Sequence, residues 1–216
     1  MLPLSKEAHV AQECWAASPR TGVLNRAFDI FFAAIGLCFL SPLFCAIALA
    51  IKSDDGGPVF YMQVRVGRGF KRFRICKFRS MISGADRLGF LTALGDARLT
   101  RVGRFLRRYK LDELPQLLNV LRGDMQFVGP RPEIEHYVER FRSQYAVLLQ
   151  DRPGITDPAS LAYRHEDRIF SVSRMEEQYV EEILPAKLKL SLDYQKQRNL
   201  FSDAGILLQT ALGLFV

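Results

Sequence analysis

The chain has 216 residues, 49% of them apolar, which suffices for one cored domain or for a domain plus a membrane anchor. The net charge of +7 points to polyanionic partners: nucleic acid, an anionic membrane surface or a phosphorylated substrate. The four cysteines form no C-x-x-C pair and His9, His136 and His165 lie far from them in sequence, which argues against a zinc site and implies no disulfide framework.

Residues 1–20 are punctuated by Pro3, Ser18 and Pro19 and read as loosely ordered. Ile30 to Ile51 then carries no charge. As a helix it would be about 33 Å long, enough to cross a bilayer. Three features favour a segment that enters and returns. Ser41-Pro42 sits in its middle, where proline removes a helix hydrogen bond and a neighbouring serine can bond the freed carbonyl. Basic residues flank both ends (Arg20 and Arg26; Lys52 onward), so the positive-inside rule selects no orientation. Asp29 lies at the entry, where deep insertion is costly. A secretory signal with a cleavage site near Ala48-Leu49-Ala50 is the rival reading, but the apolar run is too long and starts too late.

Asp54-Asp55-Gly56-Gly57-Pro58 is a turn cluster. Val59–Val66 and Phe73–Phe78 alternate aromatic and β-branched residues and read as two strands joined by a glycine loop. Arg65, Arg68, Lys71, Arg72, Arg74, Lys77 and Arg79 fall here with no acid, interleaved with Phe70, Phe73 and Phe78. Nucleic-acid binding would fit this pattern; next to an apolar anchor, a lipid-facing or phosphate-binding role fits better. Asp96–Leu121 reads mainly as helix, with Pro115 starting a new one. Gly129-Pro130-Arg131-Pro132 is an irregular turn, Glu133–Leu149 is helical, and Met175–Asn199 gives two helical stretches broken near Pro185. The nearly uncharged 200–216 could lie on a membrane surface.

Leu111-Asp112-Glu113-Leu114-Pro115-Gln116 is the strongest candidate for chemistry. Adjacent carboxylates after Arg107, Arg108 and Lys110 suit a phosphate site, where one attacks phosphorus and the other binds magnesium or handles a proton. The bland alternative is a helix surface with solvated ion pairs. Asp124 and Glu133 are further acids, Asp124 as a turn residue. Arg131, held between two prolines, reads equally as a guanidinium pre-oriented for phosphate or carboxylate and as a loop arginine with no special partner. His136 and His165 receive no role.

These residues together resemble the bacterial sugar transferases, the monotopic polyprenyl-phosphate phosphoglycosyl transferases, in their minimal form. The matching blocks run from about Arg26 to the C-terminus: Arg26-Ala27-Phe28-Asp29 with Ser41-Pro42, Gly57-Pro58-Val59-Phe60-Tyr61, Lys77-Phe78-Arg79-Ser80-Met81 and Asp96 to Gly103. Then come Leu111 to Leu117, Asn119 to Met125, Val128 to Pro132 and Arg152-Pro153-Gly154-Ile155-Thr156. Each block alone is weak, and their order is specific. The resemblance implies transfer of a sugar phosphate from a UDP-sugar to polyprenyl (undecaprenyl) phosphate, with release of UMP, as the first membrane step of glycan assembly. It implies Asp112 as nucleophile, Glu113 as metal ligand or proton acceptor, Mg2+ held at Asp112 and Glu113, and a re-entrant helix broken at Ser41-Pro42. Lys77, Arg79, Arg98, Arg101 and Arg131 are, by physical role, the candidates for binding diphosphate or lipid phosphate.

The expectation is therefore an α+β fold, mostly helical with a small β-hairpin. It comprises an N-terminal segment (1–25), a re-entrant membrane helix (26–52), a cytoplasmic catalytic domain (53–200) and a membrane-associated end (201–216), all at the cytoplasmic face of a bacterial inner membrane. Its partners would be donor, acceptor and membrane lipids but no nucleic acid, with room for a homo-oligomer. The alternative is a non-catalytic single-pass protein with a basic lipid- or nucleic-acid-binding domain, which would have no need of the Asp112-Glu113 pair. One departure stands out: after Thr156 many members continue with Gly, then Trp or Leu, Ala and Gln, where this chain has Asp157-Pro158-Ala159-Ser160-Leu161. Sugar identity is left open by that difference.

Overall fold

The structure, a computed structural model, describes residues 23–85, 89, 91–93, 95–166, 169–170 and 174–213. The expectations for 1–22 and 214–216 lie outside the described residues.

Helix α1 (Val23–Asp55) contains the whole apolar run. At 1.5 Å per residue it is about 50 Å long. The helix continues across Ser41-Pro42, so the expected re-entrant break does not appear in it. Pro42 has no N–H for the carbonyl of Cys38, four residues back. The Ser41 hydroxyl donates to that carbonyl at 2.7 Å, so the proline leaves no bare acceptor.

One stripe of α1 packs on the rest of the chain. Ala33 is buried with Ile75, Leu117, Val120 and Met125; Ile47 and Ile51 are buried with Phe78 and Leu106. Each of the larger side chains among these contributes roughly 1.5–3 kcal/mol. The opposite stripe is bare, and Phe39, near the midpoint, is 84% exposed. Polar bonds fix both ends. At the start, the Arg26 guanidinium donates to the carbonyls of Val120 (2.6 Å) and Leu121 (2.9 Å), and Asp29 accepts from the Phe127 N–H at 3.3 Å. At the far end, Asp54 accepts from the Val102 N–H at 3.0 Å, and Asp55 pairs with Arg79.

The predicted hairpin is present as β1 (Phe60–Val66) and β2 (Arg72–Phe78), antiparallel, with Tyr61 opposite Lys77. The long helix expected over 96–121 is three pieces: α2 (Arg101–Arg108), a 3-10 turn (Leu111–Glu113) and α3 (Gln116–Arg122). Thr100 caps α2 by accepting from the Gly103 N–H at 2.9 Å. Pro115 opens α3, as expected. Between α2 and the turn, Lys110 adopts a left-handed φ of 54°. That conformation costs a non-glycine residue about 1 kcal/mol or more, and it redirects the chain so that the next residues turn inward.

A parallel pair not foreseen from sequence follows, β3 (Gln126–Val128) and β4 (Gly154–Thr156), with Val128 opposite Thr156. Gly129 and Gly154 pass so closely that a Cβ on Gly154 would collide with the Gly129 backbone. Helices α4 (Glu135–Arg140) and α5 (Arg142–Leu148) replace the single helix read over 133–149. The region read as two stretches broken near Pro185 is α6 (Met175–Gln178), a π-helical turn (Tyr179–Ile183) and α7 (Leu184–Gln197); the irregularity precedes the proline, which sits in the first turn of α7. Tyr137, Tyr145, Leu148, Tyr179, Ile183 and Leu188 fill the largest core. Helix α8 (Leu200–Gly213) ends the described chain with Phe201 91% exposed.

Candidate active site

The 3-10 turn places Asp112 and Glu113 inside the fold, which removes the alternative of a solvated ion-pair surface. Asp112 is 5% exposed, and its Oδ1 is buried with no hydrogen-bond partner among the described residues. Such an atom costs roughly 1–3 kcal/mol unless a ligand satisfies it. Glu113 accepts from Lys77 Nζ at 2.8 Å through Oε1, and from Arg131 at 2.5 Å (Oε1) and 3.2 Å (Oε2). Lys77 comes from β2 and Arg131 from the turn after β3, so three separate elements converge here.

Burial raises the pKa of Asp112, and the neighbouring Glu113 charge adds to that rise. Burial would also raise Glu113, but the charges of Arg131 and Lys77 overcome it and hold that carboxyl well below the ordinary range. Lys77 is pulled below its ordinary value, chiefly by burial.

The support behind these side chains is polar and specific. Asn119 on α3 mimics a neighbouring strand: its Oδ1 accepts from the Cys76 N–H at 2.9 Å and its Nδ2 donates to the Arg74 carbonyl at 2.7 Å. That stitch sets β2, and so Lys77, against the helix that follows the dyad. The Arg131 turn is tied to β4, since the Gly129 N–H donates to the Thr156 carbonyl and the Gly154 N–H to the Pro130 carbonyl, each at 3.0 Å. Arg198 adds a bond to the Val128 carbonyl at 2.8 Å.

The sequence candidates thus separate. Asp112, Glu113, Lys77 and Arg131 come together. Arg79 is buried against Asp55, with its guanidinium in the space that a side chain on Gly57 would need, and it joins α1 to β2. Arg98 donates to Asp96 and to the carbonyls of Ala85 (3.1 Å), Gly89 (2.7 Å) and Leu91 (2.5 Å), a clasp on its own loop. Arg101, with its side chain 83% exposed, reaches Asp54 at 3.4 Å. Asp124 holds Asn119 at 3.2 Å, and Glu133 pairs with Arg65. Asp157, at the departure from the family pattern, caps the short helix Pro158–Ala162 and accepts from Ser160 and Ser191. Asn119 and Arg198 have no role assigned from the sequence; for Asn119 the available signals are an amide set among the leucines and valine of α3 and its place in the Asn119–Met125 block.

The fold and this cationic cradle around two carboxylates suit an enzyme that handles phosphate esters. The chain belongs to the bacterial sugar transferase family, whose model matches residues 20–216. Exopolysaccharide production protein ExoY of Rhizobium meliloti (strain 1021) is 35% identical over 188 residues, covering 80% of this chain and 83% of that protein. UDP-glucose:undecaprenyl-phosphate glucose-1-phosphate transferase of Escherichia coli (strain K12) is 36% identical over 207 residues, 92% of this chain and 42% of that protein. UDP-N-acetylgalactosamine-undecaprenyl-phosphate N-acetylgalactosaminephosphotransferase of Aeromonas hydrophila is 42% identical over 150 residues, 68% of this chain and 36% of that protein. The chain therefore spans less than half the length of the latter two relatives.

Proposed function

We propose that this chain transfers a sugar phosphate from a UDP-sugar to polyprenyl (undecaprenyl) phosphate, with Asp112 as the covalent nucleophile, in the assembly of an exopolysaccharide or other glycan. The observation that carries this reading is the buried, unpartnered Asp112 Oδ1 beside the Lys77–Glu113–Arg131 cluster. The names of the relatives supply the substrate class. Since they name both glucose and N-acetylgalactosamine, the donor sugar is not assigned.

In the first step an Asp112 oxygen attacks the sugar-bearing phosphorus. The bond from that phosphorus to the bridging oxygen breaks, and UMP departs with the oxygen and its electron pair. In the second step an oxygen of polyprenyl phosphate attacks the same phosphorus. The acyl-phosphate P–O bond breaks, Asp112 recovers its carboxylate, and a polyprenyl-diphosphate sugar is formed. Lys77 and Arg131 hold the diphosphate and stabilise charge as it moves to the leaving phosphate. Burial favours the attack twice, by raising the basicity of Asp112 and by keeping water from the acyl phosphate.

Magnesium fits the same place. Among the described residues no three His, Cys, Asp or Glu side chains cluster as ligands, but Mg2+ is commonly held by one or two carboxylates plus substrate phosphates. Asp112 Oδ1 is a free oxygen donor. An ion there would neutralise diphosphate charge.

For α1 we favour insertion from one side without crossing. Both ends bond to the same body of protein, through Arg26 and Asp29 at one end and Asp54 and Asp55 at the other. The bare apolar stripe around Phe39 then enters the lipid while both flanks stay with the catalytic domain on the cytoplasmic face.

The test is UMP release by the full chain in detergent, with undecaprenyl phosphate, Mg2+ and a panel of UDP-sugars. One donor should give UMP, and Asp112→Asn should lose the activity by a factor of about 10³ or more, since an amide is a poor nucleophile. Substantial turnover by Asp112→Asn would end the covalent reading.

A further inference from the structure

We infer that Glu113 is the counter-ion that aims Lys77 and Arg131 at the donor diphosphate, a positioning residue rather than a proton acceptor or a metal ligand; this rests on the donor-site reading above. Both of its oxygens are engaged. Oε1 lies 2.8 Å from Lys77 Nζ and 2.5 Å from an Arg131 nitrogen, while Oε2 takes the other arm of the guanidinium at 3.2 Å. To accept a proton or bind an ion, Glu113 would first have to break charge-assisted bonds, which are about twice as strong as neutral ones. The neighbouring Asp112 has an oxygen with no partner among the described residues. The two adjacent acids therefore divide the work: one is left free for phosphorus and metal, the other is committed to cations.

The commitment has a geometric purpose. Lys77 stands on β2 and Arg131 on the turn after β3, two elements that do not pair with each other. Two cations brought this close repel, and the carboxylate between them cancels that repulsion and fixes both directions. It also places a negative charge next to the incoming diphosphate, which costs donor affinity. A counter-ion therefore leaves a signature opposite to that of a metal ligand: its removal strengthens diphosphate binding while it weakens catalysis.

The deciding experiment is calorimetric titration of the full-length protein in detergent with UDP, which carries the diphosphate but cannot turn over, across a range of Mg2+ concentrations. Glu113→Gln should bind UDP about three- to tenfold tighter at low ionic strength, with a steeper loss of affinity on adding salt. The Mg2+ concentration for half-maximal UDP binding should not change, and kcat with the donor should fall. Glu113→Asp keeps the charge but shortens the reach, so it should bind UDP within about twofold of wild type while its kcat falls; wild-type kcat in that variant would overturn the positioning role even if the glutamine variant fails to fold. Weaker UDP binding by Glu113→Gln, or a raised Mg2+ requirement in either variant, would overturn the counter-ion role and leave the transferase reading intact. A wild-type chain that binds no UDP at any Mg2+ concentration would remove the donor site, and this role with it.

Discussion

Glu133→Gln tests whether the fold around the candidate site depends on a buried charge. Glu133 accepts from Arg65 at 2.5 Å, from the Tyr179 hydroxyl at 2.9 Å and from the Ile134 N–H at 3.1 Å. The side chains of Arg65 and Glu133 are only 16% and 11% exposed. Removing one partner of such a pair strands the other charge and costs about 3–5 kcal/mol. Arg65 also reaches Gln63 Oε1, at 2.7 and 3.1 Å, so the lower end applies, about 3 kcal/mol. For a chain of this size that corresponds to a fall in Tm of roughly 6–12 °C. The pH dependence is fixed in sign. Burial pushes the Glu133 pKa up, but the charges of Arg65 and Lys187 and the hydroxyl of Tyr179 bring it below the ordinary value. A depressed folded-state pKa gives stability that is fully present above the unfolded value, roughly 4.3, and is lost as pH falls through the folded one. Denaturant melts of the two proteins in detergent should therefore differ by about 3 kcal/mol at pH 7 and draw together only as pH falls below the unfolded value and on through the lower folded one. A difference under about 1 kcal/mol at pH 7 would show that the ion pair contributes no more than an exposed one, and a gap that persists unchanged in acid would refute the linkage.

Two further predictions concern packing and topology. Gly103→Ala places a Cβ against the Ser80 carbonyl, a backbone atom that cannot move aside; a loss of about 1–3 kcal/mol in the same melts is expected, and a neutral result would mean that α2 can shift. Leu24→Cys and Ser53→Cys, each in a cysteine-free background, should react with a membrane-impermeant maleimide only when the cytoplasmic face is open to the reagent. Labelling of the two positions from opposite faces would establish a crossing helix.

The hairpin, the start of α3 at Pro115 and the Arg131 turn were legible in the sequence because local chemistry decides them: alternation, a ring-locked φ and a pair of prolines. The dyad was legible as a pair of carboxylates but not as a buried one. Its burial follows from the left-handed φ of Lys110, which no residue pattern announces at a lysine. In the sequence Arg79, Arg98 and Arg101 stand level with Lys77 and Arg131, and only the fold separates the two that meet Glu113 from the three that meet other acids. Asp55 and Asp96 lie close to the arginines they neutralise only once the chain is folded or turned. The β3–β4 pair is three residues long on each strand and joins distant segments, too little for periodicity to reveal.

The polar ties at both ends of α1 make the membrane helix a poor candidate for exchange. A transmembrane anchor joined by a linker can be cut away or swapped, because the domain it carries folds without it. Here, loss of residues 23–55 would strip Ala33, Ile47 and Ile51 from two cores, leave Arg79 without its acid and the Val102 N–H without its acceptor. Helix α1 and the body that carries Asp112 share two cores and four polar ties, so a bilayer entered by α1 would lie at a distance from Asp112 set by the same contacts that hold the protein together.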